Sequence, residues 1–316
     1  MAKEVKLRAF EISNPLIISA SKDILKPLKE KLDTTDTTQE RCMILSHEDS
    51  NKEQDLISYY ESFGQNSSLY CTLLRIAPGS NVTHVTKVLL GKKQFSIEEL
   101  ENQEIDTAAI YKYHFDFSIK GNFLVTNLRG NITIKRLQTY LAWFLNDENL
   151  EITPVIEPPS EIKLSDLSVA SFSEPRTENA QQNTSSSTTK ASKIMSLAKS
   201  TIKDLLKDSD SLKDIELDEI IEAELLIKFR KPRTMDDEVY QKKLGSILKP
   251  VADLENVMFR TNDRKRLVSG KELLLVKTVS VETTESGHLV EQDLLQEMSK
   301  FLDELIQKNK SQPNNL

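Results

Sequence analysis

Lys228, Arg230, Lys231 and Arg233 crowd together where one strand-like run ends, and Arg260, Arg264, Lys265 and Arg266 follow about thirty residues later. These are the dense basic clusters of an acidic chain. Residues 221–280 hold 13 Lys and Arg against 9 Asp and Glu, whereas the whole chain carries a net charge of −7. The chemistry such residues offer is phosphate neutralisation, in which each cation that contacts a polyanion releases condensed counterions. Lys242 and Lys243, between the clusters, would widen the patch. Solvated strand ends and helix faces carry similar charge runs, so the weight of the reading rests on two clusters flanking one helix. Phosphate contacts position a duplex without reading its sequence. Phe229 alternates toward the apolar side of its strand and is expected in the core rather than in a base stack.

Other reactive constellations are sparse. Arg129-Gly130-Asn131 followed by Lys135-Arg136 is a second candidate anion site, because a helix N-terminus offers free backbone donors to phosphate. His47, His84, His114 and His288 stand far apart, with no HxH or HExxH spacing. There is no nucleophile elbow, Walker loop or dinucleotide fingerprint, and 8 glycines leave little room for a phosphate-cradling loop. Glu222, Glu224, Glu272 and Lys277 are the set that spacing alone would nominate for a metal-dependent nuclease, although such residues also arise by chance on a charged sheet face. Neither a cofactor nor a metal is expected, and the enzyme reading is the weaker one.

The elements that must position these side chains follow from periodicity. Val5 to Ile12 alternates as a half-buried strand, and Asp23 to Leu32 reads as a helix kinked or begun at Pro27. Strand-like runs follow at 42–45, 69–76 and 85–90. Tyr113, Phe115, Phe117 and Ile119 alternate up to Gly121-Asn122, after which Phe123-Leu124-Val125 resumes, so a hairpin is predicted. Ile134, Leu137, Leu141 and Phe144 stripe a helix from 132 to 145, with Trp143 assigned to core or interface packing. Beyond Gln182, residues 194–206 have helical spacing. A strand at 223–229 ends at Pro232, and a helix runs to about Leu248. Strands at 257–259 and 273–281, joined by a Ser269-Gly270 turn, precede a closing helix striped by Leu294, Leu295, Met298, Phe301, Leu302 and Leu305.

Helices mixed with antiparallel strands imply an α+β fold. The 316 residues suffice for two domains, and the stretch from Pro158-Pro159 to Lys190, rich in Ser, Thr and Gln, reads as a linker or disordered loop. The expected units are therefore 1–157 and 191–310, with a frayed tail at 311–316. No run approaches a membrane span, and the first residues lack the apolar core of a signal peptide, so the chain is expected in the cytoplasm. Cys42 and Cys71 have no metal or redox spacing and read as small buried hydrophobes.

The order of strand, basic exit, helix, strand, Arg-rich turn, long strand and closing helix resembles the RexA-like phage exclusion and abortive-infection proteins. The resemblance is carried by Leu226-Ile227-Lys228-Phe229-Arg230-Lys231, Val257-Met258-Phe259-Arg260 and Gly287-His288-Leu289, within residues 221–306. It implies a homodimeric, non-enzymatic antiviral defence protein that binds double-stranded DNA with little sequence preference. It further implies signalling to a partner effector protein, membrane-associated in such systems. The alternatives from the residues themselves are a defence-associated nuclease and a protein-interaction component whose basic segment meets an acidic partner.

Overall fold

The computed structural model describes residues 2–13, 24–45, 53–63, 68–77, 84–85, 87–101, 109–128, 134–163, 166–173, 224–228, 231–236, 239–240, 244, 257–261, 266–284 and 287–311. In chain order its elements are β1 (Ala2–Ser13), α1 (Leu25–Thr34), β2 (Met43–Ile44), β3 (Gln54–Phe63), β4 (Ser68–Ala77), β5 (His84–Val85), α2 (Lys87–Leu90) and α3 (Ile97–Glu101). Next come β6 (Ala109–Lys120), β7 (Phe123–Thr126), α4 (Lys135–Leu145), β8 (Glu151–Pro154), β9 (Leu167–Ser173) and β10 (Glu224–Lys228). The chain closes with β11 (Val257–Thr261), β12 (Leu267–Ser269), α5 (Gly270–Leu273), β13 (Val276–Glu282) and α6 (Glu291–Ser311). The class is α+β, as the pattern of the sequence requires.

The chain divides into two units, one of Met1–Val155 with Leu275–Leu316 and one of Ile156–Leu274. This corrects the expected boundaries in two ways. β13 and α6, read as the end of a carboxyl-terminal domain, belong to the first unit, where β13 pairs antiparallel with β1 from Ala2↔Glu282 to Arg8↔Val276. The stretch read as a linker from 158 to 190 contains β9, the strand on which the second sheet is built. Leu167, Val169 and Phe172 among serines and alanine supply enough β-forming side chains for a strand, yet their composition resembles a loop. Residues 158–163 and 166 of that stretch are described as well, with Ile162 buried in the core of the second unit, whereas 164–165, 174–190 and the helix expected at 194–206 lie outside the described residues.

In the first unit the described strands form an antiparallel sheet in the order β13-β1-β7-β6-β4-β3-β2, with β5 on β6 and β8 on β1. Alternation along β1 sends Val5, Leu7 and Ala9 to one face and Phe10 and Ile12 to the other. The first face is covered by α6, whose Leu294, Leu295, Met298, Phe301, Leu302 and Leu305 are buried as the stripe predicted. The second face packs α1 and α4 through Leu28, Leu32, Leu137, Tyr140, Leu141 and Phe144. Burying each such side chain fully contributes roughly 1.5–3 kcal/mol. Gly121 opens the predicted hairpin at φ +60, a conformation that side chains with a Cβ rarely adopt.

Three local expectations change. Val85 ends β5 and residues 87–90 form the helix α2, so the run is not one strand; Leu89 and Leu90 are buried and Val88 is 69% exposed. Trp143 lies on the outer side of α4 and is 44% exposed, its ring against Tyr140 at 5.7 Å. The Ser269-Gly270 pair opens α5 with a capping box to Glu272, so residues 257–259 and 273–281 are not joined as a hairpin; β11 pairs with β12 instead. Of the two thiols, Cys71 is buried and Cys42 half-buried. Burial pushes Cys42 up to about 12 and Cys71 upward as well, which suits packing rather than nucleophilic chemistry.

Candidate nucleic-acid interface

The second unit arranges its described strands in the order β10-β9-β11-β12. Lys228 pairs with Val169, Val169 with Arg260, and Arg260 with Leu267. Residues opposite one another in a ladder share a face of the sheet, so these four form one row. The next row on that face includes Ser171, Met258 and Ser269. The intervening row carries Ala170, Phe259 and Val268, which are buried with Val257, Tyr240, Leu244 and Leu273 in the core of this unit. Lys228 and Arg260 are exposed, as are Met258 at 38% and Leu267 at 56%. One face is therefore core, while the other presents Lys228 and Arg260 among aliphatic side chains and serines.

This geometry brings together two clusters that lie 32 positions apart in the chain. Lys228 and Arg260 are separated by the single strand β9, which places their Cα atoms roughly 10 Å apart, twice the interstrand spacing. Arg233 is exposed and Lys231 half-buried in the turn after β10, where the Met235 amide donates to the Pro232 carbonyl at 3.1 Å. Arg266 closes the β11–β12 connection: its amide donates to Thr261 Oγ1 at 3.2 Å, and Thr261 donates back through its own amide to the Arg266 carbonyl at 3.1 Å. The Arg266 guanidinium reaches Glu161 at 3.0 Å, an exposed pair of small net strength. Arg230, Lys242, Lys243, Arg264 and Lys265 lie outside the described residues. Missing from the sequence reading was β9, which supplies Val169 as the bridge between the two cations.

Of the second candidate anion site, Lys135 and Arg136 stand in the first turn of α4. Arg136, 8% exposed, donates through Nε to Asp55 Oδ2 at 2.8 Å, and its guanidinium lies 4.4 Å from the Tyr113 ring centroid. Asp55, fully buried, also accepts Arg75 Nε and Nη2, each at 2.9 Å. Burial works to lower the Arg75 pKa, but its bonds and charge pairing with Asp55 hold it above the ordinary value. Arg136 is thus committed to an internal carboxylate. Arg129, Gly130 and Asn131 lie outside the described residues.

Of the set nominated for a nuclease, Glu224 begins β10. Glu222 lies outside the described residues, Glu272 is the α5 capping residue and accepts from the Ser269 amide at 3.3 Å, and Lys277 in the first unit pairs with Glu304 at 2.5 Å. Among the described residues no cluster of three or more His, Cys, Asp or Glu side chains is arranged to hold a metal ion. Among them, too, no helix is long and apolar enough to cross a membrane.

The described residues define an α+β protein whose second unit carries a sheet of four described strands with Lys228 and Arg260 on its exposed face. No protein-family model matches the chain, and no curated protein matches it significantly.

Proposed function

We propose that the second unit binds the phosphate backbone of double-stranded DNA on the open face of its sheet, with Lys228 and Arg260 as central contacts and Arg233, Lys231 and Arg266 around them. The observation that carries this reading is the common row of Lys228, Val169 and Arg260 across β10, β9 and β11. Phe259, the aromatic of this sheet most suited to stacking, is buried on the opposite face. Contact through backbone charge rather than through splayed bases is what such a surface favours. Arg230, Lys242, Lys243, Arg264 and Lys265 extend the patch by sequence. In the setting implied by the resemblance to phage exclusion proteins, the unit senses DNA as part of a homodimeric, cytoplasmic defence protein and passes the signal to an effector.

The exposed Met258 and Leu267 favour a second reading, an acidic protein partner docked on the same face. A mobility-shift assay on duplex DNA at low and physiological salt, with and without magnesium, separates them. A shift that weakens steeply with salt on intact duplex supports DNA binding. No shift at low salt assigns the face to a protein partner, and cleavage with magnesium would transfer the function to a nuclease.

A further inference from the structure

Arg260 stands beside apolar side chains on the exposed face of the second sheet. Leu267 lies directly opposite it on β12, and Met258 precedes it by two positions on the same face of β11. Leu267 is 56% exposed and Met258 38%, among the large apolar side chains that the described residues leave to solvent. The two are diagonal neighbours across the ladder, a separation of roughly 7–8 Å that side chains of this length bridge. They form one apolar ridge next to a cation. Phosphate contacts use the cation and give the ridge nothing to bury against, whereas the bases of a duplex would.

The breadth of the sheet limits how bases can be reached. Three interstrand spacings of about 4.8 Å make the four strands roughly 14 Å wide before side chains are counted, and the five residues of β11 run about 17 Å. The major groove of B-form DNA is about 12 Å wide and the minor groove about 6 Å. The sheet is therefore too broad for either groove of an undeformed duplex. A minor groove opened by bending can meet it, because Met and Leu side chains that enter there part adjacent base pairs and kink the helix toward the major groove. The row Lys228, Val169, Arg260 and Leu267 fits that arrangement, since an aliphatic side chain separates the two cations. Each cation then meets a phosphate on one wall of the groove while apolar atoms face its floor.

We propose that Met258 and Leu267 form a wedge that enters the minor groove of double-stranded DNA and bends it, with Lys228 and Arg260 holding the phosphates on either side. This rests on the DNA reading of the same face and adds to it the groove and the deformation. A modest preference for easily unstacked pyrimidine–purine steps follows, without hydrogen-bonded base readout.

Energy transfer between dyes at the two ends of a duplex of about 25 base pairs, measured with anisotropy on the full chain at low salt, tests it. Saturating wild type is expected to raise the transfer, because bending brings the ends together. Met258→Ala/Leu267→Ala is expected to bind roughly tenfold more weakly and to leave the transfer at the value of free DNA. Both side chains are exposed, so the variant should fold, with circular dichroism as the check. Leu267→Ala alone, at the more exposed position, is the second variant and is expected to lose part of the transfer. Wild-type binding with unchanged transfer, or a folded double variant that binds and bends like the wild type, overturns the wedge and leaves the phosphate contacts standing. No binding by the wild type at low salt overturns the wedge and the DNA reading together and returns the ridge to a protein partner.

Discussion

Asp55 and Arg136 meet inside the first unit across 81 positions of sequence, with the carboxylate fully buried and Arg136 Nε at 2.8 Å from Oδ2. Arg75 approaches the same carboxylate from β4, so one acid on β3 anchors a sheet neighbour and the first turn of α4. Removing the acid leaves two cations inside with their main partner gone. Asp55→Ala is expected to destabilise the chain by about 3–5 kcal/mol, the usual cost of breaking a buried pair, as read from chemical denaturation. A loss below about 1 kcal/mol would show that the cluster is not a structural anchor.

Tyr140 ties the same helix to the sheet. Its hydroxyl oxygen accepts the Ile57 amide at 3.0 Å and donates to the Arg41 carbonyl at 2.9 Å, both bonds buried. Tyr140→Phe keeps the ring and strands two backbone groups. A loss of about 1–3 kcal/mol is expected from unsatisfied buried polar groups. Hydrogen exchange at Ile57 provides the local check, with faster exchange expected in the variant.

Glu291, at the start of α6, is held up to about 7 by burial; its bond from the Ile97 amide opposes the rise, and Asp116, Glu98 and Glu61 add to it. Its folded value thus lies above its unfolded one. The stabilising contribution is complete below the unfolded value and is lost as pH rises through about 7. Thermal melts from pH 5 to 8 should show Glu291→Gln gaining on the wild type as pH increases. A difference between the two that does not change with pH would remove Glu291 as the source.

Much of this architecture is legible in sequence where one periodicity holds. The β6–β7 hairpin was visible because aromatic residues alternate into a Gly-Asn turn, and α6 because its apolar stripe runs without interruption. β3 gave no such signal, since a register shift between Ile57 and Tyr59 breaks its alternation and buried Asp55 and Ser58 make it look polar. Chain order also misplaced β13: pairing with β1 is a long-range contact that local patterning does not encode. The basic clusters were evident, but their meeting depended on β9, hidden in a serine-rich stretch. Arg136 looked like a surface base because the acid that claims it lies on another element.

The most direct test of the DNA reading is fluorescence anisotropy of a labelled duplex against the wild type, Lys228→Glu/Arg260→Glu and Lys26→Glu, a control at a residue whose side chain is 82% exposed in the other unit. Each protein is titrated at low and physiological salt, with circular dichroism to verify folding. The prediction is salt-sensitive binding by the wild type and the control, and binding reduced by roughly a hundredfold or more in the double variant, as loss and reversal of two phosphate contacts implies. Undiminished affinity in a folded double variant, or no binding by the wild type at low salt, would contradict it.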